Sequence, residues 1–240
     1  MEPNRPARIC QVYGKFARFA TLYDRENRIP VYSAFIFTPG PLPCLFSRRE
    51  EWFIEPQLTY SNRPPEMMLM EHLYNSEHKP RPKSDFCQLI TDSQATDCDY
   101  AASGFDKGHL NLNCFQFAEG RDATFTLTNA VPMYENFNRV VWSKAHENVM
   151  MSGLLTACPP PFVAYVVTGA VPSNRFALGR VNVPDWIWSA ICCSGNGYNI
   201  AFIGQNDPNG FAKVVPVTEL ERQLKLLYNH FVTIFPSGCY

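Results

Sequence analysis

Residues 101–148, AASGFDKGHLNLNCFQFAEGRDATFTLTNAVPMYENFNRVVWSKAHEN, pass from a short polar loop through alternating apolar residues into a segment with helical spacing. The loop holds Gly104, Asp106, Lys107, Gly108 and His109. Its glycines permit close backbone approaches that other residues resist, so the loop can aim His109 into a cleft. A second strand is expected over Ala123 to Asn129, and Asn138 and Trp142, four residues apart, share one face of a following helix. The pattern predicts one compact ββα unit over about 101–150, with a histidine on a strand and an asparagine on the helix. An imidazole titrates near neutrality and can take a proton from water. A carboxamide oxygen is a hard, neutral ligand of the kind Mg²⁺ accepts while keeping most of its waters. Hydrolysis of a phosphodiester needs both a base and a divalent cation, so His109 is the candidate base and Asn138 the candidate metal ligand. Trp142 reads as a packing anchor, His146 as a solvent-facing helix residue, and Asn129 as an amide capping the turn before Val131-Pro132.

Asp106-Lys107-Gly108-His109, then Thr128-Asn129-Ala130-Val131-Pro132, then Asn138 with Trp142, resembles the DNA/RNA non-specific endonucleases of the ββα-metal, or His-Me finger, group. Ile29–Ala34 and Phe125–Asn129 are similar to the vertebrate endonuclease domain-containing 1 branch. The resemblance implies an α+β fold, with a central, mostly antiparallel β-sheet flanked by helices and an embedded ββα-metal finger. It implies general-base catalysis by His109, a Mg²⁺ (or Mn²⁺) cofactor at Asn138, and an organising role for Asn129. DNA and RNA are the implied partners, and a secreted or lumenal location is implied with the signal peptide absent from this chain. Two positions depart from the pattern. Lys107 stands where arginine is usual, and an ammonium lacks the bidentate fork that grips phosphate. His146, with Glu147 beside it, stands where the helix often carries glutamate. A catalytically weakened nuclease-fold protein that binds nucleic acid or a protein partner is therefore the competing reading.

The bulk properties set looser bounds. A chain of 240 residues, 46% hydrophobic, can bury a sizeable core and is read as a single domain over 1–240. Its formal net charge of −1 supplies no global basic field, so nucleic-acid binding must come from a local patch. No apolar run approaches the roughly 20 residues that span a bilayer, and MEPNRPARIC lacks an apolar signal core. Nine cysteines without paired CxxC spacing suggest disulfides in an oxidising compartment rather than zinc. Cys192 and Cys193 read equally well as buried thiols.

Along the chain, Phe16–Tyr23 and Ile29–Thr38 flank a charged turn and form a hairpin signal. Arg25 and Arg28 at that turn, and Lys107 in the loop, are candidate phosphate contacts, and Lys107 also stands with His109 and Asn129 as a candidate catalytic residue that supports charge. Pro39 to Pro82 reads as a surface excursion with short helices, ending in the basic cluster Lys79–Lys83. Within it, His72 and His78 read as surface residues and Met67–Met70 as packing. Cys87 to Tyr100 reads as turn-rich, its aspartates acting as caps. Phe162–Gly169 is a buried strand, Asn182–Cys193 and Tyr198–Gln205 a hairpin across an Asn-Gly step, and Val217–Phe231 a covering helix capped by Thr218.

Overall fold

A computed structural model of the chain describes residues 3–40, 52–76 and 82–239. The chain opens with β1 (Pro6–Tyr13), β2 (Phe16–Asp24) and β3 (Ile29–Ile36), paired antiparallel in sequence. The β1–β2 turn places Gly14 and Lys15 at φ of 60° and 68°, the left-handed geometry a two-residue hairpin turn requires. No Asn-Gly or Asp-Gly step marks that turn, and β1 escapes the sequence reading. The β2–β3 hairpin is as expected. Asp24 holds its tip, accepting the backbone N–H of Glu26 at 2.9 Å and the side-chain amide of Asn27 at 2.7 Å.

The excursion that follows carries β4 (Phe53–Ile54), α1 (Pro56–Thr59), β5 (Met68–Leu69) and α2 (Met70–Asn75). His72 is exposed and Met67 is buried, as read. His78 and most of the basic cluster lie outside the described residues. The turn-rich expectation for 87–100 is corrected. The segment holds α3 (Lys83–Ser93) and α4 (Asp97–Tyr100), because Phe86 and Ile90, four apart, both enter the core. Asp99 does cap, its carboxylate accepting the Thr96 N–H at 2.8 Å in a reciprocal capping box.

The finger comprises β6 (Asp106–His109), α5 (Glu119–Ala123), β7 (Ala130–Met133), a wide π-helical segment over Phe137–Glu147, and α6 (Asn148–Ala157). Its second strand is thus Ala130–Met133 rather than Ala123–Asn129, and it runs through Pro132. β7 pairs with β6 alone, so a proline lacking N–H costs no second ladder.

The chain then re-enters the sheet through β8 (Ala164–Val171), adds the small pair β9 (Phe176–Ala177) and β10 (Val181–Asn182), and continues with β11 (Trp186–Cys193), β12 (Asn199–Gln205) and β13 (Ala212–Val215). The main sheet is seven-stranded and antiparallel, ordered β1-β2-β3-β8-β11-β12-β13. Finally α7 (Val217–Tyr228) crosses its outer face. Pro216, not Thr218, occupies the N-cap of α7, and Asn229 ends the helix at φ 56°.

The alternation in β11 divides the core. Ile187 and Ile191 face the finger with Phe137, Trp142 and Phe202. Trp188 and Ala190 face α7 with Leu220 and Leu224. Adjacent Cys192 and Cys193 therefore point to opposite faces. Cys193 bonds Cys158 at the end of α6, and Cys192 bonds Cys239 in the C-terminal tail. Both covers of the sheet are tied to one central strand. Among the described residues no helix is long and apolar enough to cross a membrane.

Gly169 in β8 lies against Trp188 of β11. A Cβ there would stand 2.4 Å from the indole and 2.5 Å from the Val31 carbonyl oxygen. Backbone cannot yield cheaply, so Gly169→Ala is predicted to cost about 3 kcal/mol, at the upper end for overpacking. Urea unfolding at constant m-value measures it; an unchanged midpoint would show the strand pair relaxing freely.

Candidate active site

β6 carries the Asp106-Lys107-Gly108-His109 stretch in register with β7: Asp106 opposite Met133, Lys107 opposite Pro132, Gly108 opposite Val131 and His109 opposite Ala130. A Cβ on Gly108 would lie 2.4 Å from the Met133 sulfur, so glycine is what lets this strand close onto its neighbour. His109 sits between two aromatic walls, its ring centroid 4.6 Å from Trp52 and 4.8 Å from Phe125. The residue is half-buried by area, but its Nε2 is enclosed and has no hydrogen-bond partner. Burial, and then the neighbouring Lys107 charge, push its pKa down to about 3. At neutral pH the ring is an uncharged base.

Lys107 pairs with Asp97 and lies 5.3 Å from the centre of the Trp52 ring. Trp52 is thus shared between the ammonium and the imidazole. Tyr100, Phe105 and Asp106 join Asp97 and Lys107 around an open concavity beside the strand.

Asn138 enters from the first turn of the π-helical segment and is half-buried. Its Nδ2 donates to Asp106 Oδ2 at 2.9 Å. A carboxylate only accepts, so this contact fixes which end of the amide carries the nitrogen. The Oδ1 end takes no hydrogen bond among the described residues. The same carboxylate receives the Arg139 guanidinium through both oxygens, Nε at 2.9 Å and NH2 at 2.7 Å. β6 and the helix are therefore brought together at Asp106.

Asn129 is fully buried and its amide is saturated. Oδ1 accepts from Ser33 Oγ at 2.8 Å and the Asn111 N–H at 3.0 Å. Nδ2 donates to the carbonyls of Asn111 and Thr124, each at 2.9 Å. Its backbone carbonyl accepts the N–H of Leu110, the residue after His109, at 2.9 Å. Asn129 thus holds the position of the histidine strand from behind. Arg28 is placed differently. At φ 55° on the β2–β3 turn, it donates to the carbonyls of Thr91 at 3.0 Å, Arg180 at 3.2 Å and Glu26 at 3.4 Å. Among the described residues these hydrogen bonds join it to α3 and the β9–β10 turn, not to Asp106 or Asn138.

The expectation of a solvent-facing His146 is corrected. His146 is fully buried within an aromatic cage, 4.6 Å from Trp142, 5.0 Å from Phe202 and 5.5 Å from Phe115 by ring centroids, and neither nitrogen has a partner. The π-helical winding is one residue wider per hydrogen-bonded ring than an α-helix. It keeps Phe137, Trp142 and His146 all buried along one side. Trp142 is the packing anchor expected of it. Glu147, half-buried, accepts from Ser143 Oγ at 3.0 Å, and burial raises its pKa to about 7.

The sequence reading missed Trp52, Asp97, Phe125 and Arg139. Only Arg139, a cation adjoining Asn138, carries a local signal; the others reach the site through tertiary contacts.

This assembly, a histidine strand, a returning strand and a helix asparagine against an antiparallel sheet, defines a ββα-metal nuclease fold. The family model for DNA/RNA non-specific endonucleases matches residues 71–233, and the chain belongs to that family. Among curated relatives it is similar to the endonuclease domain-containing 1 proteins of Homo sapiens and Mus musculus. To the human protein it is 32% identical over 222 residues, covering 90% of this chain and 41% of that one. To the mouse protein it is 31% identical over 237 residues, covering 97% and 43%. The chain thus spans less than half the length of these relatives. Its fold is similar to a chain in the crystal structure of the EndoG/EndoGI complex, with TM-score 0.51 and 18% identity, covering 86% of this chain and 81% of that one.

Burial also depresses the His146 pKa to about 3. A buried histidine held below its unfolded value stabilises the fold fully above about pH 6.5 and loses that contribution as pH falls toward 3. Between pH 7.5 and 5.0 the native chain is predicted to lose about 2 kcal/mol more stability than His146→Phe, at roughly 1.4 kcal/mol per pH unit below the unfolded value. Parallel urea titrations at the two pH values give this double difference, and parallel behaviour of the two chains contradicts it.

Proposed function

We propose that this chain is a Mg²⁺- or Mn²⁺-dependent endonuclease that hydrolyses phosphodiester bonds in DNA and RNA without sequence preference. The observation that carries the reading is the orientation of Asn138. Its nitrogen is committed to Asp106 while its oxygen is left free of protein partners among the described residues. A hard amide oxygen beside a carboxylate suits an ion that takes one or two protein groups and keeps its waters. Among the described residues no cluster of three or more His, Cys, Asp or Glu offers the alternative of a closed protein cage. A bound cation at this position supplies neutralisation of charge developing on the phosphate.

His109 provides the base. Its Nε2, enclosed and unpartnered, is the kind of buried nitrogen that calls for a functional explanation. The uncharged ring takes a proton from the attacking water, and Trp52 and Phe125 limit its rotation. A base with so depressed a pKa stays available in acid but binds a proton weakly, so the histidine itself sets no acid limit near pH 6.5. Lys107 gives a cation beside the site, oriented by Asp97 and Trp52 rather than by a guanidinium fork. Asn129 acts as a positioning residue, and Arg28, a candidate phosphate contact by sequence, is proposed to act chiefly as a brace. Phosphate contacts carry little sequence information, which accounts for low specificity. The single-domain reading of 1–240 and a secreted or lumenal location complete the proposal; the disulfides at Cys158–Cys193 and Cys192–Cys239 support the latter.

One observation favours a second reading, a nuclease scaffold that binds nucleic acid with little turnover: the aromatic enclosure of His109 Nε2. The test incubates supercoiled plasmid and a structured RNA with the native chain and with His109→Ala, in Mg²⁺, in Mn²⁺ and in EDTA. The proposal predicts cleavage of both polymers, loss in EDTA, and a drop of about 100-fold or more for His109→Ala, the scale of a general base. Equal rates for the two chains would remove His109 from the mechanism. Binding that survives EDTA without turnover in either ion would select the scaffold reading.

A further inference from the structure

We propose that Arg139 is a built-in counter-cation that sets how tightly the Asn138 centre holds a divalent ion. This rests on the metal-site reading above and goes beyond it. The observation is that Asp106 is fully engaged before any ion arrives. The Arg139 guanidinium straddles its two oxygens at 2.7 and 2.9 Å, and the Asn138 amide nitrogen occupies the second of them at 2.9 Å. Asp106 is the anion nearest Asn138 along this network, one amide width from the free Oδ1. Its side chain is only 17% exposed, against 47% for Arg139. The carboxylate is thus partly shielded, and the guanidinium reaches it from the solvent side. The remaining nitrogen, NH1, donates to Glu135 Oε1 at 2.6 Å, one helical turn back. That second tie keeps Arg139 over Asp106 rather than free in solvent.

The consequence is electrostatic. A carboxylate beside a cation site draws the ion in; the same carboxylate neutralised by a fixed guanidinium draws it far less, and the guanidinium itself repels it. Asp106 is retained to orient the Asn138 amide by accepting its N–H, as outer hydrogen-bond partners orient metal ligands, while Arg139 cancels the charge Asp106 would lend. The centre is thereby poised for weak binding. The ion can be gained together with the phosphate of a substrate, whose charge makes up the shortfall. Because both partners sit at the helix start, Arg139 also fixes the approach of Asn138 to β6.

The test measures binding of Mn²⁺ alone, without nucleic acid, by titration calorimetry and by the electron spin resonance signal of the free ion. Arg139→Gln is expected to bind Mn²⁺ about ten-fold more tightly than the native chain, as loss of one nearby positive charge requires at a partly solvated site. Arg139→Lys, which keeps the charge, is expected to stay close to native. Asp106→Asn is expected to weaken binding, since it leaves Arg139 uncompensated. Circular dichroism and metal-free unfolding verify that each variant is folded, and Arg139→Met serves as a second neutral variant should Gln misfold. Mn²⁺ should also raise the unfolding temperature more for Arg139→Gln than for the native chain. Equal affinity in native, Gln and Lys forms overturns the counter-cation role, as does a lysine form that follows the glutamine form. Asn138→Ala separates the two levels. If it binds Mn²⁺ as the native chain does, the metal-site reading itself fails; if it abolishes binding while Arg139→Gln equals native, only the counter-cation proposal fails.

Discussion

Behind the histidine strand, the finger is fastened to the sheet through the side-chain amide of Asn129. Asn129 accepts from Ser33 on β3 and meets both backbone groups of Asn111, while its own carbonyl receives the N–H next to His109. The proton order behind it is determined. Ser33 spends its hydroxyl proton on Asn129, so Thr21 must donate to Ser33 at 3.0 Å, and Gln11 donates to Thr21 at 3.1 Å. Gln11 also reaches Thr128, the neighbour of Asn129, at 2.8 Å. A buried relay thus runs from the edge strand to the back of the histidine. Each donor polarises the next, and loss of any member leaves a buried polar group unpaired, which is the costly case. Such a network specifies a single placement of β6 against the sheet in a way apolar packing alone does not.

Polar groups at the centre of a sheet need a reason to be there. Thr21, Ser33, Thr168 and Ser189 stand in register across β2, β3, β8 and β11, on the face turned to the finger. Around them lie Phe35, Val166, Ile187 and Ile191. A wholly apolar face would pack the finger in several registers of similar energy. A hydroxyl row that must meet Asn129 admits few. The disulfide from Cys193 to Cys158 restrains the far end of the same unit, at the close of α6. The finger is thereby held at both ends, by hydrogen bonds at the strand and by sulfur at the helix.

How much of the fold is legible in the sequence follows from where its signals lie. Alternation in β3 and β11 and the continuous apolar run of β8 are local and strong signals, and all three strands overlap the expected segments, β8 running on to Val171 and β11 beginning at Trp186 rather than Asn182. The second finger strand was displaced because Phe125–Asn129 alternates in sequence yet spends its backbone on a short 3-10 turn and the contact with Phe53. Pro132, which argues against a strand, is harmless where only one side is paired. The helix α3 is hidden in the sequence because its polar face is rich in turn-forming Ser, Asp and Thr, and only two buried apolar residues, Phe86 and Ile90, mark its core side. His146 shows the limit most clearly. Four residues after Trp142, it lies on the buried side that helical spacing gives Trp142, yet a polar residue in an aromatic cage contradicts the ordinary preference.

The same distinction applies to the site. His109, Asn129 and Asn138 stand out as candidates because the proposed chemistry demands their residue types at fixed places in a strand, a turn and a helix. What surrounds them does not, because it arrives from elsewhere. Trp52 comes from a proline-rich excursion and lies against both the imidazole and the Lys107 ammonium. That single contact alters two side chains at once: it shields the imidazole from water and gives the ammonium an aromatic face in place of solvent. Asp97 then balances Lys107 as Arg139 balances Asp106. Each charge in the β6 loop therefore has a partner of opposite sign, and the loop presents little net charge of its own. In a chain with formal net charge −1, attraction for a polyanion cannot come from the whole surface. Under the proposed function it would come from a local patch, and one route is an exchange of partners, a phosphate taking the place of Asp97 on Lys107. Selection would then rest on a local exchange of ion pairs rather than on a standing positive field.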